Sequence, residues 1–243
     1  MSGDASRPET AASPAARRGL HAPRPLALAW SGGKDSARAL HDLRADPAWQ
    51  PTILLTTVTS GYDRISMHGV RRELLDEQAR ALGMELLVAE IPPSATNEQY
   101  ERAMERAVES LRARGIEHVA FGDIFLEDLR RYREERMAKA GMKCVFPLWK
   151  RDTSELARSF VRLGFRAIAV CVDPRALAPS FAGRELDAAF FADLPAGVDP
   201  CGENGEYHSF VYAGPIFARE VGVLRGERVE RDGFWFQDLL RRP

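Results

Sequence analysis

The stretch from Ser31 to Ser36 reads Ser-Gly-Gly-Lys-Asp-Ser and combines the residue types that bind a phosphate. Two adjacent glycines allow several backbone N–H groups to approach one anion at the start of a helix. Lys34 adds a positive charge, and the hydroxyls of Ser31 and Ser36 add short donors. Asp35 either favours the helix dipole or holds a magnesium ion. We therefore predict a nucleotide-phosphate site formed by Ser31, Gly32, Gly33, Lys34, Asp35 and Ser36.

This site differs from a Walker A loop, which has four residues between its glycines and Gly-Lys-Ser/Thr after them. Here the glycines are adjacent and Lys-Asp-Ser follows. Taken alone, Ser-Gly-Gly is also typical of a simple turn with a capped helix. Its place between an apolar run at 25–30 and a helical pattern at 37–43 favours the phosphate site.

The elements that must position this turn alternate along the chain. Strand-like runs at 52–58, 86–91 and 119–123 are separated by helical patterns at 70–82 and 100–111. Such alternation predicts an α/β fold with a Rossmann-like, doubly wound parallel sheet. Ligands of these sheets bind in the crevice at the carboxyl ends of the strands.

Four more residues are expected at that crevice. Thr57 ends the second strand, and His68 stands just before the next helix, where both a structural and a functional role remain open. Gly122 permits close approach of the backbone to a ligand. Asp123 is a candidate for binding metal or a hydroxyl of ATP.

Charged residues crowd the helix that follows Asp123. Residues three or four apart share a helix face, so this segment is either a solvated surface or a holder for a polar substrate. Both interpretations stay open. The candidates are Glu127, Asp128, Arg130, Tyr132 and Arg133.

A second, smaller α/β domain is predicted after Trp149. It contains strands at 167–172, 209–212 and 217–223, a helical stretch around 185–191, and a hairpin turning at Asp232-Gly233, which together predict a small mixed sheet. The predicted organisation is a disordered tail at 1–24, an ATP-binding domain at 25–149 and the smaller domain at 150–243. Within the smaller domain, a Gly-rich polar loop supplies Glu203, Asn204, Glu206, Tyr207 and His208.

Composition gives no support to several classes of protein. The 243 residues carry 34 basic and 35 acidic side chains without a basic block, so no electrostatic footprint for nucleic acid exists. Three widely spaced cysteines, Cys144, Cys171 and Cys201, fit neither a disulfide framework nor a zinc site. No apolar run approaches the length of a membrane span. These features predict a cytoplasmic protein with no membrane or nucleic-acid partner, and a homo-oligomer remains open.

Four segments together resemble the diphthine-ammonia ligase family of the ATP pyrophosphatase, or PP-loop, superfamily. They are SGGKDS, GYDRISMHGVRRELL from Gly61, GDIFLEDLRRYRE from Gly122, and DPCGENGEYHSFVYAGP from Asp199. The resemblance covers about residues 25 to 217. The last segment is the most discriminating, because generic PP-loop enzymes have no such loop in a second domain.

The resemblance implies an amide ligase that uses ATP and Mg²⁺ to adenylate a small-molecule or protein-borne carboxylate and then transfers ammonia. It implies phosphate binding by Ser31 to Ser36 and nucleotide contact by Gly122 and Asp123. Together with Thr57 and His68, expected at the crevice, these are the predicted ATP-binding residues, and Asp35 and Asp123 are the predicted metal ligands. The implied catalytic residues are Lys34, Asp35, Glu127, Asp128 and Glu206. The implied substrate-binding residues are Arg130, Tyr132, Arg133, Glu203, Asn204, Glu206, Tyr207 and His208.

Two alternatives remain. A nucleotide-binding regulator would bind ATP without turnover. A PP-loop sulfur transferase would need an accessible cysteine, and Cys201 is the one predicted to lie in a loop.

Overall fold

A computed structural model describes residues 22–61, 64–65 and 69–243. The predicted tail therefore lies almost entirely outside the described residues. The first sheet contains β1 (Arg24–Ala29), β2 (Trp49–Thr59), β3 (Arg64–Ile65), β4 (Glu85–Ile91), β5 (His118–Ala120) and β6 (Lys143–Val145). Five strands are parallel in the order β4-β2-β1-β5-β6, and the short β3 pairs antiparallel with β2. This is the predicted Rossmann-like sheet.

Helices cover both faces of the sheet. Helices α1 (Lys34–Ala45) and α2 (Arg72–Leu82) pack on one face, and α3 (Asn97–Ala113) and α4 (Glu127–Lys139) on the other. The strands supply both cores because successive side chains point to opposite faces: Leu54 packs with the first pair, whereas Ile53 and Leu55 pack with the second. The doubly wound prediction is confirmed.

The second sheet is entirely antiparallel, not mixed as predicted. It contains β7 (Arg166–Val172), β8 (Tyr207–Ala213), β9 (Val223–Arg231) and β10 (Phe234–Arg241), in the order β8-β7-β10-β9. The predicted turn at Asp232-Gly233 is confirmed, and so short a turn can join only antiparallel strands. The same half of the chain contains helices α5 (Thr153–Arg162) and α6 (Ala188–Ala192).

The strand predicted at 217–223 is wrong. Residues 217–222 form an irregular segment, and β9 begins at Val223. The segment lies along α2, because the amide of Ala218 donates to the carbonyl of Ala81. Val221 in this segment is buried. The apolar residues whose pattern predicts a strand therefore cover the end of a helix instead.

One hydrophobic core crosses the predicted domain boundary. Leu28 and Leu40 from the first sheet and α1 belong to the same buried cluster as Phe210 and Val211 from β8. The amide of Val211 also donates to the carbonyl of Gly32 at 2.9 Å. The second sheet is therefore packed directly against the turn formed by residues 31–36, which we call the phosphate turn. Within the described residues, no helix is long and apolar enough to cross a membrane.

Candidate nucleotide site

A cavity of about 440 Å³ opens at the carboxyl ends of β1, β2 and β5, where β8 meets the first sheet. The phosphate turn forms one wall, and the polar loop before β8 forms another. Many of the sequence-predicted residues meet here. Those lining the cavity are Ser31, Gly33, Lys34, Asp35, Ser36, Thr57, Gly122, Asp123, Arg133, Glu203, Tyr207 and His208.

The turn needs its two glycines for different reasons. Gly32 has a φ of +76°, and a Cβ there would lie 2.8 Å from Oε1 of Gln78. Gly33 precedes α1, and its Cβ would lie 3.1 Å from the carbonyl oxygen of Ser209. The first position thus requires left-handed backbone, and the second requires close contact with β8. The amide of Gly33 donates to Oγ of Ser31 at 3.2 Å.

Gln78 and Ser209 hold this turn, and neither is among the site residues predicted from the sequence. Gln78 is fully buried, accepts from Nε1 of Trp30 at 2.9 Å and donates to the carbonyl of Gly32 at 3.0 Å. It also donates to the carbonyl of Val211 at 2.5 Å. Oγ of Ser209 accepts from the amide of Lys34 at 3.1 Å and so caps the first turn of α1. A polar residue on the apolar face of α2 was the available signal for Gln78.

The ammonium of Lys34 is the buried cation of the cavity. Only 5% of the residue is exposed, and Nζ lies 2.8 Å from Oδ2 of Asp35. Nζ also donates to the carbonyl of Cys201 and lies 5.2 Å from the ring centroid of Tyr207. Burial alone lowers the pKa of Lys34, but the charge of Asp35 and its other neighbours outweigh burial and raise it above its ordinary value. The side chain therefore stays charged.

Three carboxylates surround this cation. Burial raises the pKa of Asp35, although the charge of Lys34 opposes the shift. Burial also raises the pKa of Glu203 to about 7, even though Oε1 of Glu203 accepts from the amide of Ile124 at 2.7 Å. Oδ2 of Asp123 lies 2.6 Å from Nε of Arg133. Two of the three carboxylates, Asp35 and Asp123, are thus each paired with a cation of the chain.

Glu206 organises the polar loop instead of lining the cavity. It is 7% exposed and accepts from the amide of Asp199 at 3.1 Å and from the amide and Nδ2 of Asn204 at 3.0 and 2.9 Å. Asp199 in turn accepts from the amides of Cys201 and Glu203. These bonds fix the peptide whose carbonyl meets Lys34. Glu206 therefore stabilises the loop through its hydrogen bonds, and its side chain does not line the cavity.

We expect Glu206→Gln to lower the free energy of unfolding by roughly 2–4 kcal/mol, because a buried carboxylate accepting three N–H donors would be replaced by an amide with one acceptor oxygen. Chemical denaturation measures this loss. Glu220→Gln is the control, since Glu220 is 48% exposed and forms a surface pair with Arg166. Equal losses in both variants would contradict this role of Glu206.

Several predicted site residues lie away from the cavity lining. Glu127 and Asp128 stand at the exposed start of α4 and pair with Lys150 and Arg131. The guanidinium of Arg130 lies over the rings of Phe146 and Trp149, 4.8 and 4.6 Å from their centroids. Others outside the lining are Gly32, Tyr132, Asn204 and Glu206. His68 lies outside the described residues.

Gly122 has a structural reason for lacking a side chain. A Cβ there would lie 3.0 Å from the carbonyl carbon of Asp35 and 3.2 Å from the amide nitrogen of Ser36. The close backbone approach predicted at this glycine is therefore an approach of α1. It seats the phosphate turn against the end of β5.

The cavity fits Mg²⁺ only as an ion that protein carboxylates and a nucleotide coordinate together. Among the described residues, no group of three or more His, Cys, Asp or Glu side chains is arranged to hold a metal ion. Asp35 and Asp123 both line the cavity, however. Mg²⁺ in nucleotide sites is usually held by one or two carboxylates, phosphates and water. The donor set fits a metal that arrives with a nucleotide.

Glu203 should make stability depend on pH. Its pKa is about 7 in the folded chain against an ordinary value of 4.5, so the folded state binds the proton more tightly. The resulting stabilisation is present below pH 4.5 and disappears as pH rises through 7. We expect the melting temperature of the native protein, relative to that of Glu203→Gln, to fall between pH 5 and pH 8.

Differential scanning fluorimetry across this range measures the difference between the two proteins. Glu227→Gln, at an exposed position of β9, is the control and should leave the pH profile unchanged. A constant difference between native protein and Glu203→Gln would contradict the expectation.

Cys201 does not have the properties of a sulfur carrier. It is 3% exposed, and its Sγ contacts the carbonyl of Thr153 at 3.5 Å. Burial raises the pKa of its thiol, so the reactive thiolate is disfavoured. The loop position predicted for this residue is correct, but the accessibility that a sulfur transferase needs is lacking.

Comparison with known proteins agrees with this geometry. Residues 25–144 match the family model of the diphthamide synthase N-terminal domain, and residues 152–240 match that of the diphthamide synthase C-terminal domain. Diphthine-ammonia ligase of Homo sapiens is 30% identical over 120 residues, which are 47% of this chain and 45% of that protein. The Schizosaccharomyces pombe protein is 31% identical over 120 residues, 47% of this chain and 20% of its own length.

The Danio rerio diphthine-ammonia ligase aligns more extensively. It is 27% identical over 225 residues, which cover 82% of this chain and 86% of that protein. The match to the yeast and human relatives spans less than half of their lengths.

A doubly wound sheet whose first strand leads into a glycine-lined phosphate turn, closed by a second antiparallel sheet, defines a PP-loop nucleotide-binding protein. Both family models extend this assignment over most of the chain. The chain belongs to the diphthine-ammonia ligase family.

Proposed function

We propose that this chain is an ATP-dependent amide ligase that forms AMP and pyrophosphate. The observation that carries the proposal is the meeting of the phosphate turn, buried Lys34 and the polar loop of the second sheet in one cavity. Relatives named diphthine-ammonia ligase support the reaction class. The acceptor is then a carboxylate of the diphthine type, and the nitrogen comes from ammonia.

In the proposed first step, a carboxylate oxygen of the acceptor attacks the α phosphorus of ATP and pyrophosphate leaves. Negative charge grows on the departing phosphates, where the ammonium of Lys34 and the N–H groups that follow Lys34 in the first turn of α1 stabilise it. Mg²⁺, when bound, would be held by Asp35 or Asp123 and would neutralise phosphate charge. In the second step, the nitrogen of ammonia attacks the acyl carbon, AMP leaves, and a proton is released.

Positioning should supply more of the rate than the helix dipole does. Holding two reactants in contact contributes on the order of 7–11 kcal/mol, whereas a helix dipole contributes about 0.3–1 kcal/mol. The contact between the two halves of the chain suits this task, because Ser209 of β8 caps α1 and the carbonyl of Cys201, in the loop before β8, accepts from Lys34. We propose that the second sheet presents the acceptor and that α1 presents the phosphates.

The roles of individual residues follow the cavity lining. We propose that Ser31, Gly33, Lys34 and Ser36 bind phosphate, that Thr57 and Gly122 border the nucleotide, and that Glu203, Tyr207 and His208 face the acceptor. Glu127 and Asp128 lie on the exposed start of α4, so we place them where a large acceptor would contact the surface.

Incubation with ATP, Mg²⁺, ammonium and diphthine-containing protein tests the reaction. We expect AMP and pyrophosphate in equal amounts, formed only when the acceptor is present. ADP and phosphate as the sole products would overturn the proposal. Tight ATP binding with no acceptor-dependent cleavage would favour the nucleotide-binding regulator.

A further inference from the structure

A second cavity of about 350 Å³ lies between α3 and α4, and we call it the α3–α4 groove. Its apolar lining residues are Tyr100, Met104, Val108, Phe121, Met137 and Ala140, and its lining also includes three glutamates, three arginines and one lysine. The groove exists because its two helices cover different parts of the sheet. Helix α3 packs on β4 at one edge, and α4 packs on β6 at the other.

The groove lies next to the nucleotide cavity, because Tyr100, Met104, Phe121 and Arg133 line both spaces. A ligand in the groove therefore contacts side chains that also border the nucleotide cavity. A volume of 350 Å³ is within the range of small-molecule pockets, about 300–1,000 Å³.

Arg133 stands at the junction with one edge of its guanidinium engaged. Nε lies 2.6 Å from Oδ2 of Asp123, and Nη2 donates to Oδ1 of Asp123 at 3.2 Å. The guanidinium also lies 4.5 Å from the ring centroid of Phe121, and 30% of the side chain is exposed. Because guanidinium has five N–H donors, its Nη1 end remains suited to a carboxylate.

We propose that the α3–α4 groove binds the non-reacting arm of the acceptor, which is a carboxylate carried on an apolar or aromatic chain. Arg133 then receives the carboxylate at the junction, in the same cavity that the polar loop before β8 lines from the second sheet. The inference rests on the proposed function, because it identifies the ligand of the groove as the acceptor of that reaction. Its physical content is independent: a partly apolar space and the nucleotide cavity share the cation Arg133. Binding energy from the arm would then orient the reacting carboxylate.

Two probes of the same shape separate the parts of this proposal. Both 4-phenylbutyrate and 4-phenylbutyramide carry an aromatic arm, but only the first carries a carboxylate. We expect the full chain to bind 4-phenylbutyrate about tenfold or more tightly than either the amide or acetate, as measured by ligand-observed NMR titration. Arg133→Gln should abolish the preference for carboxylate over amide while leaving amide binding unchanged.

Ala140→Trp and Ala138→Trp form a matched pair for the arm. Ala140 lines the groove, whereas Ala138 is exposed on α4 and does not. Filling the groove at position 140 should weaken both phenyl probes by about tenfold, and the change at 138 should weaken neither. Circular dichroism confirms that each variant is folded, so a loss of binding reports the groove.

Equal binding of 4-phenylbutyrate by the Ala140→Trp and Ala138→Trp variants would overturn the proposal, as would absence of binding to the native chain. The titrations require no turnover. A chain that shows the expected pattern but forms no AMP keeps the groove assignment and loses the proposed reaction. A chain that forms AMP but binds the probes equally in both tryptophan variants loses only the groove.

Discussion

Replacing Lys34 by methionine should lower pyrophosphate formation by about 100- to 1,000-fold, the usual effect of removing one donor that stabilises developing negative charge. Methionine keeps an unbranched side chain, one atom shorter, but removes the charge. In the native cavity, Nζ of Lys34 lies between Asp35 and the carbonyl of Cys201 and is almost fully buried. Because Lys34 is almost fully buried and lines the cavity, its loss should fall directly on the departing phosphates. Acceptor-dependent pyrophosphate release measures the effect.

Lys143→Met is the matched control, because Lys143 is 69% exposed and pairs loosely with Glu117 at 3.9 Å. It should retain native turnover. The Lys34 variant also leaves the carboxylate of Asp35 without its ammonium partner, so a lower melting temperature is expected. Circular dichroism at the assay temperature separates unfolding from lost catalysis. A folded Lys34→Met protein with native turnover would contradict the proposed phosphate role.

Lys34 also explains why the two sheets need to be packed together. Its amide is capped by Ser209, and its ammonium is held by the carbonyl of Cys201, both from the second half of the chain. The phenolic hydroxyl of Tyr207 donates to the carbonyl of Pro200 at 2.6 Å and fixes the preceding peptide. The phosphate turn is therefore completed by a loop more than 160 residues away along the chain. Movement of that loop would move the cation.

The phosphate turn was predictable from sequence because its requirements are local. Adjacent glycines between an apolar strand and an amphipathic helix leave few other structures, and α1 begins at Lys34 as that pattern indicates. The parallel sheet was predictable for a similar reason, since alternating strand and helix patterns have few packing solutions. Gln78 and Ser209 were not found, because their partners lie 46 and 175 residues away.

For the carboxylates, composition and spacing did not predict which side chains line the cavity. Glu203 and Glu206 are three residues apart in one polar loop, yet Glu203 lines the cavity and Glu206 binds the loop's own amides. Glu127 and Asp128 follow the cavity in sequence but point to exposed partners. Only backbone geometry decides which way such a side chain faces. Their roles in the reaction remain proposals for mutagenesis.

Gly32→Ala should abolish binding of ATP with Mg²⁺ and lower the melting temperature. Two separate effects act at this position. An L-residue at a φ of +76° costs about 1–2 kcal/mol, which corresponds to a fall of roughly 2–8 °C. In addition, the new Cβ would lie 2.8 Å from Oε1 of Gln78 and 3.0 Å from Cδ2 of Leu75. Gln78 must then move, and its bonds to Gly32 and Val211 would be lost together.

Gly83→Ala separates the two effects. Gly83 has a φ of +66°, but a Cβ there meets no atom within 4 Å in the part of the chain that the structure describes. It should lose similar stability from the backbone alone and keep native affinity for ATP with Mg²⁺, measured by isothermal titration calorimetry. If the two variants bound nucleotide equally well, contact between the turn and Gln78 would not set the phosphate site. Loss of affinity only at Gly32 would show that this buried amide positions the turn.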